Sequence, residues 1–298
     1  MTKLTHSKQV TFRNCRRAYQ YRFERCMVPK QVNMPRLVGS AVHKGLETGD
    51  IDEAMALFGG VYPSSQEEQD ALDTDMAIAR AILEGYAAYF APIPNLRPEV
   101  TFELPIINPA TKAHSKKFVL AGKADGIAKQ HGGYWLVEYK TAGQIDKDYV
   151  DKLSLDSQIT TYSYALSRVL GAPIVGTIYR VMRKPSIRRT AKETARQFQD
   201  RLIRDYQERP EFYFHEFTLY RDQEDLEIYE HELWQLTQDI LQCRLTGRWY
   251  KNTSRCADWG KCAYMPLCLG HECEGLYVSQ DPDIELKEAE ANGDCVAC

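Results

Sequence analysis

Three charged residues, Asp125, Glu138 and Lys140, have the types and the spacing that metal-assisted hydrolysis needs. The oxygens of two carboxylates suit Mg²⁺ or Mn²⁺ as ligands. A lysine beside them can orient a water while a metal neutralises the charge of a phosphodiester transition state. The same triplet also fits a salt-bridge ladder on a solvent-facing sheet, which is the commoner arrangement when nothing else supports a site. The rest of the chain must decide between the two.

A β-hairpin is predicted to bring the two carboxylates together. The turn signal is His131-Gly132-Gly133, and the flanks 118–127 and 134–141 are rich in aromatic and aliphatic residues. Asp125 and Glu138 are equidistant from this turn, so they are expected to oppose each other with Cβ atoms roughly 5 Å apart. One divalent cation could then contact both side chains.

Alternation along the second strand places Lys140 on the same face as Glu138, because the two are separated by two residues. Val137 and Tyr139 then point into the opposite layer. The hairpin therefore predicts a small surface shared by two acids and a lysine.

Helical periodicity precedes the hairpin. A basic helix is predicted over Ser7–Arg25, a second over Arg36–Glu47, and further helical segments between 50 and 90. In the second helix, His43 falls on one stripe with Gly39 and Glu47. A histidine in that position is more often packed or solvent-exposed than a metal ligand.

From Glu99 onward the pattern alternates between strands and helices. A strand begins at Glu99, and Glu103 within it is interpreted as a salt-bridge partner in preference to a further acidic ligand. After the hairpin come a helix over Ser154–Leu170, a strand over Ile174–Met182, and two final helices, 193–209 and 222–245. This order predicts an α/β protein with a mixed sheet.

Composition describes an ordinary globular protein of 298 residues, with 44% hydrophobic and 27% charged residues. No run approaches the length of a membrane span, and the N-terminal residues lack the apolar segment of a secretion signal. We therefore expect a cytoplasmic location, in a bacterial cell or a phage-infected host, and no membrane partner.

Charge is distributed unevenly, although the net charge is only -3. Residues 1–30 carry eight lysines and arginines against one glutamate, and residues 180–204 carry nine against two acids. Residues 271–298 hold eight acids against one lysine. Such a pattern suits a polyanion-binding face together with a solvated or self-masking acidic tail, and charge alone is equally consistent with basic helices that bind nothing. The best candidates for gripping a nucleic-acid backbone are Arg16, Arg17, Arg22, Arg183, Lys184, Arg188 and Arg189.

Nine cysteines in a chain without a secretion signal favour metal ligands over disulfides. Cys256, Cys262 and Cys268 are spaced six residues apart, and this triple contains no Cys-x2-Cys pair of the kind usual for structural zinc. A [4Fe-4S] cluster is therefore favoured, whereas three buried free thiols are the simpler alternative. The spacing leaves the fourth ligand open among Cys15, Cys26, Cys243, Cys273, Cys295 and Cys298.

Six short motifs occur in the order known from one nuclease family. They are CRRAYQY (15–21), GSAVHKGLE (39–47), GKADGI (122–127), VEYKT (137–141), QITTY (158–162) and the cysteine triple at 256–268. The chain thus resembles RecB-type nucleases of the PD-(D/E)xK superfamily, and within them the iron–sulfur branch. That branch includes CRISPR-associated RecB-like exonucleases, AddB-type nuclease domains and phage-encoded relatives.

The resemblance implies roles for individual residues. Asp125, Glu138, His43 and the main-chain carbonyl of Tyr139 would hold Mg²⁺ or Mn²⁺, and Lys140 would act on the attacking water. The family's Q-x3-Y element would be Gln158 and Tyr162, beside the DNA path. The one-plus-three ligands of a structural [4Fe-4S] cluster would be Cys15, Cys256, Cys262 and Cys268.

Two departures from the family pattern stand out. Arg16 follows the first cysteine where a proline is usual, and Ala124 replaces the proline of the superfamily's name, at a position that varies widely. The residues beyond Cys268 lie outside the pattern.

The implied fold is a restriction-endonuclease-like mixed sheet flanked by helices, with an inserted helical segment and a C-terminal iron–sulfur module. We expect one nuclease domain over 1–270, with a helical segment at 45–98, a core at 99–185 and C-terminal helices with the cysteines at 190–270, closed onto Cys15. An acidic, mobile tail is expected over 271–298.

The expected function is a metal-dependent deoxyribonuclease, an exonuclease acting on single-stranded DNA or DNA ends. The alternative is a catalytically silent iron–sulfur or zinc nucleic-acid-binding subunit of a DNA-processing complex, and a third possibility is an α/β protein with a thiol-rich redox tail. Protein partners and a homo-oligomer both stay open.

Overall fold

A six-stranded mixed sheet lies at the centre of the computed structural model, which describes residues 1–31, 34–258, 260–284 and 286–287. Two further strands form a small antiparallel pair near the C-terminal end. The strands are β1 Thr2–Leu4, β2 Met27–Pro29, β3 Leu96–Ile107, β4 His114–Gln130, β5 Gly133–Ala142, β6 Ile174–Arg183, β7 Phe214–Leu219 and β8 Tyr277–Ser279.

Helices flank the sheet and connect its strands. They are α1 His6–Asn14, α2 Arg16–Tyr19, α3 Met34–Thr48, α4 Ile51–Ala56, α5 Gln66–Tyr89, α6 Lys147–Leu153, α7 Ser157–Val169, α8 Ala195–Glu208, α9 Pro210–Tyr213, α10 Gln223–Thr246 and α11 Met265–Leu269. A π-helical turn at Gln20–Glu24 follows α2, and 3₁₀ turns lie at Leu57–Gly60 and Thr253–Arg255.

The long strand β4 organises the sheet. One of its edges pairs with β3 over most of its length. The other edge pairs with β1 at residues 118–120 and with β5 at residues 126–130. Within the described strands, the stretch 121–125 between these two ladders faces an opening, because β5 continues past its last pair with β4 and runs on beside β6.

Apolar residues alternate to both faces of the sheet and form two cores. One core lies under α1, α7 and α10 and includes Leu136 and Tyr179. The other lies under α3, α5 and α8 and includes Val137, Tyr139 and Ile178. Burial on both faces fixes the register of β5 and β6, since a slip of one residue would exchange the two faces.

The opening helix differs from its prediction. A single helix was expected over Ser7–Arg25, but the chain breaks at Cys15, whose φ of -161° and ψ of 112° are extended, and resumes as α2 and the π-helical turn. Thr5 caps α1 by accepting a hydrogen bond from the amide of Lys8. The helical spacing of apolar residues continues across the break, which hid it from a periodicity argument.

Most other elements match their predictions to within a few residues, including α3, α5, α7, α8, α10 and β6. Sequence reasoning missed the short edge strands β1 and β7 and the helix α6, because each is too short to show a clear period. Across the described part of the chain, no helix is both long and apolar enough to cross a membrane.

Candidate metal-dependent active site

The predicted hairpin is present and has the predicted register. β4 and β5 join through His131 and Gly132, which both have positive φ (49° and 78°), as in the turns that match strand twist. The ladder pairs Gly126 with Val137 and Gln130 with Gly133, so every pair is equidistant from the turn. Asp125 and Glu138 stand one step beyond its last pair, at the opening between the strands.

The Asp125 carboxylate bridges the opening between the strands. Its Oδ2 accepts a hydrogen bond from the backbone amide of Tyr139 at 2.8 Å, which replaces a ladder bond at this point. Its Oδ1 lies 3.0 Å from Nδ1 of His43, which α3 holds above the sheet. Gly39 of the same helix lies close to Thr141, since a Cβ on this glycine would stand 3.5 Å from the Thr141 hydroxyl. The helix stripe with His43 thus faces the hairpin.

Glu138 and Lys140 share a face, as predicted, and form an ion pair in which the Glu138 side chain is 1% exposed. Lys140 Nζ donates to Glu138 Oε1 and, at 2.9 Å, to the side-chain oxygen of Gln158 on α7. The other oxygen of Glu138, Oε2, is buried and has no hydrogen-bond partner among the described residues. A buried carboxylate oxygen without a partner is costly unless a ligand completes it.

Burial and charge shift every titratable group of this set. Burial, together with the negative charge of Asp125, raises the pKa of Glu138 to about 7. Burial opposes the charged form of Lys140, but the charges of Glu138 and Asp125 outweigh it and raise its pKa to about 12. The two neighbouring carboxylates thus stabilise Lys140 as an ammonium, which can donate hydrogen bonds to a bound water.

His43 and Asp125 stabilise each other's charge. Burial works against ionisation of both groups, yet the ion pair and its hydrogen bond hold the pKa of Asp125 below its usual value and raise the pKa of His43. Asp125 is therefore the carboxylate that ionises more readily, whereas Glu138 binds a proton more readily.

A second group of residues at the start of α7 was not predicted from the sequence. Asp156 caps α7 by accepting from the amide of Gln158 at 2.8 Å, and its other oxygen lies 3.3 Å from the hydroxyl of Tyr179. Ser157, the first residue of the helix, lies 3.0 Å from Nε2 of His6. An aspartate before a helical pattern is a recognisable N-cap signal, whereas the approach of His6 depends on contacts across 151 residues.

Glu99 was treated only as the start of a strand, but it stands beside the site. It is 7% exposed and lies opposite Asp125 across β3 and β4, between the pairs Pro98–Gly126 and Val100–Ala124. Its positive φ of 46° marks a local distortion of the strand. It forms an ion pair with Lys123.

Glu47, one turn beyond His43, is a neighbour of Glu99. Burial, and then the negative charge of Glu99, raise the pKa of Glu47, while Lys44 at 2.9 Å lowers it. By contrast, Glu103 forms a partly exposed salt bridge with Lys3 at 3.3 Å, in agreement with its prediction.

Tyr162 lies one turn beyond Gln158, as its spacing predicts, but its ring is buried. The side chain is 7% exposed and packs edge-on against Phe102 with ring centroids 5.6 Å apart. In this position the ring contributes to the core under α7, and a base could not stack on it.

These features match one known family. Its model, described as the PD-(D/E)XK nuclease superfamily, matches residues 3–269. The chain belongs to this superfamily. Membership implies a nuclease that hydrolyses phosphodiester bonds. Nucleases of this superfamily use Mg²⁺ or Mn²⁺.

Other comparisons are less informative. A solved structure titled "Crystal structure of SSO0001" is similar at 17% identity, covering 59% of this chain and 75% of that chain with a TM-score of 0.25. No curated protein matches the chain.

The donor set of this PD-(D/E)XK nuclease fits a hard divalent cation. In the described residues, no group of three or more histidine, cysteine, aspartate or glutamate side chains is arranged to hold a metal ion. Lys140 instead pairs with Glu138, and His43 with Asp125. The unpartnered Oε2 of Glu138 beside the Asp125 carboxylate is nevertheless the arrangement that oxygen-preferring metals complete.

Several arginines predicted to bind nucleic acid have partners within the protein. Arg16 pairs with Asp239 at 3.0 Å and lies over the ring of Tyr250. Arg183 donates to the backbone oxygen of Ile145.

Arg189 donates to the backbone oxygen of Glu193 at 3.0 Å and lies 3.6 Å from the Asp70 carboxylate. The predicted set also includes the partly exposed Arg17, Arg22 and Lys184 and the exposed Arg188.

The start of α2 lies beside the cysteine triple, because Cys15 and Cys256 both contact Asn252. Burial raises the pKa of the Cys268 thiol, and the neighbouring thiols of Cys15 and Cys262 raise it further. The backbone of Cys262 donates to the oxygen of Cys256 at 2.9 Å, and Cys15 Sγ accepts from the Asn252 amide. Cys273 lies nearby as well, since it and Cys262 both act on Tyr277.

Two further candidates for the fourth ligand, Cys26 and Cys243, also lie within the described residues. Cys243 is buried in the core beside Arg16, and Cys26 is the residue directly before β2. Cys295 and Cys298 lie outside the described residues.

Proposed function

We propose that this PD-(D/E)XK nuclease is a metal-dependent deoxyribonuclease that acts as an exonuclease on single-stranded DNA or DNA ends, with a structural [4Fe-4S] cluster. The observation that carries the catalytic part is the buried Glu138 carboxylate, with one oxygen on Lys140 and the other without a partner, beside Asp125. A salt-bridge ladder on a solvent-facing sheet does not bury a carboxylate in this way.

Four residues would hold the metal: Asp125, Glu138, His43 and the main-chain carbonyl of Tyr139. A bound divalent cation supplies Lewis-acid charge at the reacting phosphate and lowers the pKa of the attacking water. A nitrogen ligand from His43 favours Mn²⁺ somewhat over Mg²⁺.

Lys140 would orient the attacking water as a donor. Its ammonium is held between Glu138 and Gln158, so its position is fixed before substrate binds. Because its pKa lies well above neutrality, it stabilises developing negative charge and does not take up a proton.

Gln158 and Tyr162 would contribute differently to placing the DNA strand. Gln158 lies at the site and fixes Lys140, so hydrogen bonding to a phosphate would compete with that contact. Tyr162 supports α7 from the core through Phe102, and this packing favours a role for its hydroxyl and not for its ring.

The cluster would be a structural cross-link. Ligation by Cys15, Cys256, Cys262 and Cys268 would close a loop from the N-terminal helices to the C-terminal residues and hold basic helix α2 against the nuclease core. The contacts of both Cys15 and Cys256 with Asn252 support this ligand set.

The test is a degradation assay on 5′- and 3′-end-labelled DNA, single- and double-stranded, with Mg²⁺ or Mn²⁺ and a parallel RNA substrate. We expect metal-dependent degradation of single strands that Lys140→Ala lowers by about 10²- to 10⁴-fold. Lys152→Ala, at an exposed position on α6, is the matched control and should retain full activity.

Full activity in Lys140→Ala would overturn the mechanism. DNA binding without degradation by the wild type under all conditions would instead favour the catalytically silent binding subunit.

A further inference from the structure

Asp156, the residue directly before α7, is connected to Lys140 through Gln158. Its Oδ1 accepts a hydrogen bond from the backbone amide of Gln158 at 2.8 Å, and the side-chain oxygen of Gln158 accepts one from Lys140 Nζ at 2.9 Å. Lys140 in turn donates to Glu138. The position of the Lys140 ammonium therefore depends on where the first turn of α7 holds Gln158.

The second oxygen of Asp156 attaches the same turn to the sheet. It lies 3.3 Å from the hydroxyl of Tyr179, a side chain of β6 that is 2% exposed. Tyr179 stands beside Glu138 in the parallel pairing of β5 with β6. A helix cap needs only one oxygen of an aspartate, so the contact with Tyr179 adds a link between α7 and the strands of the active site.

Arg221, which lies between β7 and α10, fixes the backbone around Asp156. Its guanidinium donates to the backbone oxygens of Leu153 at 3.3 Å and of Asp156 at 3.0 Å, and its Nε donates to the Thr160 hydroxyl at 2.8 Å. These three acceptors span the end of α6 and the first turn of α7. The turn that carries Gln158 is thus attached to a distant segment of the chain as well as to the sheet.

We propose that Asp156 is a positioning residue of the nuclease reaction, which acts through Gln158 to hold the Lys140 ammonium where it meets the attacking water. The proposal rests on the proposed function, because it takes from there the role of Lys140. Without the cap, Gln158 is free to move, and Lys140 loses one of its two hydrogen-bond partners named above. Asp156 thus acts on the chemical step and not on the binding of the substrate.

Three variants separate positioning from general stability. Asp156→Ala removes the cap, whereas Asp156→Asn retains it, because asparagine caps helices as well as aspartate does. The matched control is Asp50→Ala, since Asp50 is an exposed residue that caps α4 by accepting from the amides of Asp52 and Glu53. Values of kcat and KM are measured on a labelled single strand with Mn²⁺. Melting temperatures verify that every variant is folded at the assay temperature.

Asp156→Ala should lower kcat by about ten- to a hundredfold and leave KM within about twofold, since displacing a positioned group by roughly 1 Å has an effect of this size. Asp156→Asn should retain most of the wild-type kcat, because the cap is kept and the hydroxyl of Tyr179 can donate or accept. Asp50→Ala should melt at a lower temperature because it also loses a cap, but its kcat should equal that of the wild type.

A double variant tests whether Asp156 acts through Gln158. Gln158→Ala should itself lower kcat, and the addition of Asp156→Ala should lower it by less than about twofold more, because the two residues belong to one series of hydrogen bonds. Losses that multiply in the double variant would show that Asp156 acts independently of Gln158, and the proposal would be wrong.

Three further results would overturn the proposal while the nuclease function stands. They are a wild-type kcat in Asp156→Ala, a loss confined to KM, and a loss of kcat in Asp50→Ala as large as that in Asp156→Ala. An equal loss in Asp156→Asn would overturn it too, because the charge of Asp156 would then matter and not its geometry as a cap. Absence of degradation by the wild-type protein would overturn both the proposal and the function on which it rests.

Discussion

At the scale of single residues, the active site combines charged side chains that are buried from water with ion pairs between them. Glu138 is removed from water, and one of its oxygens depends on Lys140 while the other lacks a partner. Burying a carboxylate oxygen without a partner is energetically unfavourable, and a cation bound to that oxygen would offset the penalty. Such a residue indicates function because a structural ion pair would satisfy both oxygens.

Metal binding should therefore stabilise the protein through Glu138. Adding Mn²⁺ at about 100 times its dissociation constant should raise the free energy of unfolding of the wild type by about 2.7 kcal/mol. Glu138→Gln keeps the size of the side chain but loses its charge, so most of the Mn²⁺-dependent rise in melting temperature should disappear. Glu103→Gln, at a salt bridge away from the site, should behave like the wild type, and an equal rise in all three proteins would count against the assigned ligand.

His6 should make stability depend on pH. Burial, with smaller contributions from Lys140 and Arg13 against that of Asp156, lowers the pKa of His6 from 6.5 to about 4. Between these values the unfolded chain binds a proton that the folded protein excludes, so stability falls as pH falls through this window and is unaffected above it. The full effect is at most about 3 kcal/mol.

The variant His6→Gln isolates this effect, since all other groups titrate in both proteins. Urea midpoints at pH 7 and pH 4.5 should fall less in the variant than in the wild type. Parallel losses in the two proteins would show that His6 is protonated in the folded state.

At the scale of elements, the hairpin and α3 position the catalytic groups. The two-residue turn sets the register of β4 against β5, and the end of their ladder creates the space into which Asp125 reaches. Helix α3 then brings His43 to the open side. The site depends on where pairing stops as much as on where it forms.

The turn itself can be improved. His131 has a φ of 49°, a conformation that asparagine adopts more readily than histidine. His131→Asn should therefore raise the free energy of unfolding by about 0.5 kcal/mol. Gly132→Ala should lower it by about 1 kcal/mol, because the φ of 78° disfavours a Cβ although nothing stands within 4 Å of it. Urea denaturation of the two variants measures both changes in the free energy of unfolding. A decrease of this free energy in His131→Asn would contradict this account of the turn.

At the scale of the whole molecule, the two ends of the described chain meet. β2 pairs with β8, Lys8 pairs with Asp283, and Cys15 accepts a hydrogen bond from the amide of Asn252. Residues 271–298 were expected to form a mobile acidic tail, and their described part lies against the N-terminal helices. These contacts close the chain around the sheet.

If a cluster makes this closure, its removal should loosen the whole protein. Cys262→Ala should lower iron content, remove broad visible absorbance and reduce soluble yield and melting temperature. Cys26→Ala, which removes a cysteine outside the assigned ligand set, should keep its iron. Unchanged iron and thermal stability in Cys262→Ala would rule out the assigned ligand set.

Local sequence patterns predict the local features of this protein. The turn residues and the alternation of 134–141 fixed the hairpin, its register and the shared face of Glu138 and Lys140, because these follow from a period of two and a two-residue loop. The spacing of four in α7 likewise placed Tyr162 one turn beyond Gln158. Superfamily membership was also readable from six ordered motifs.

The long-range features of the protein depend on its tertiary packing. The opening between β4 and β5, the burial of Tyr162, the approach of His6 to Ser157 and the position of Glu99 opposite Asp125 all depend on how distant segments pack. The break at Cys15 is of the same kind, since no local signal distinguishes it from a continuing helix. Local propensity determines which face of a helix or strand a residue occupies. How deeply that residue is buried, and which residues it contacts, depends on packing between segments that are far apart in the chain.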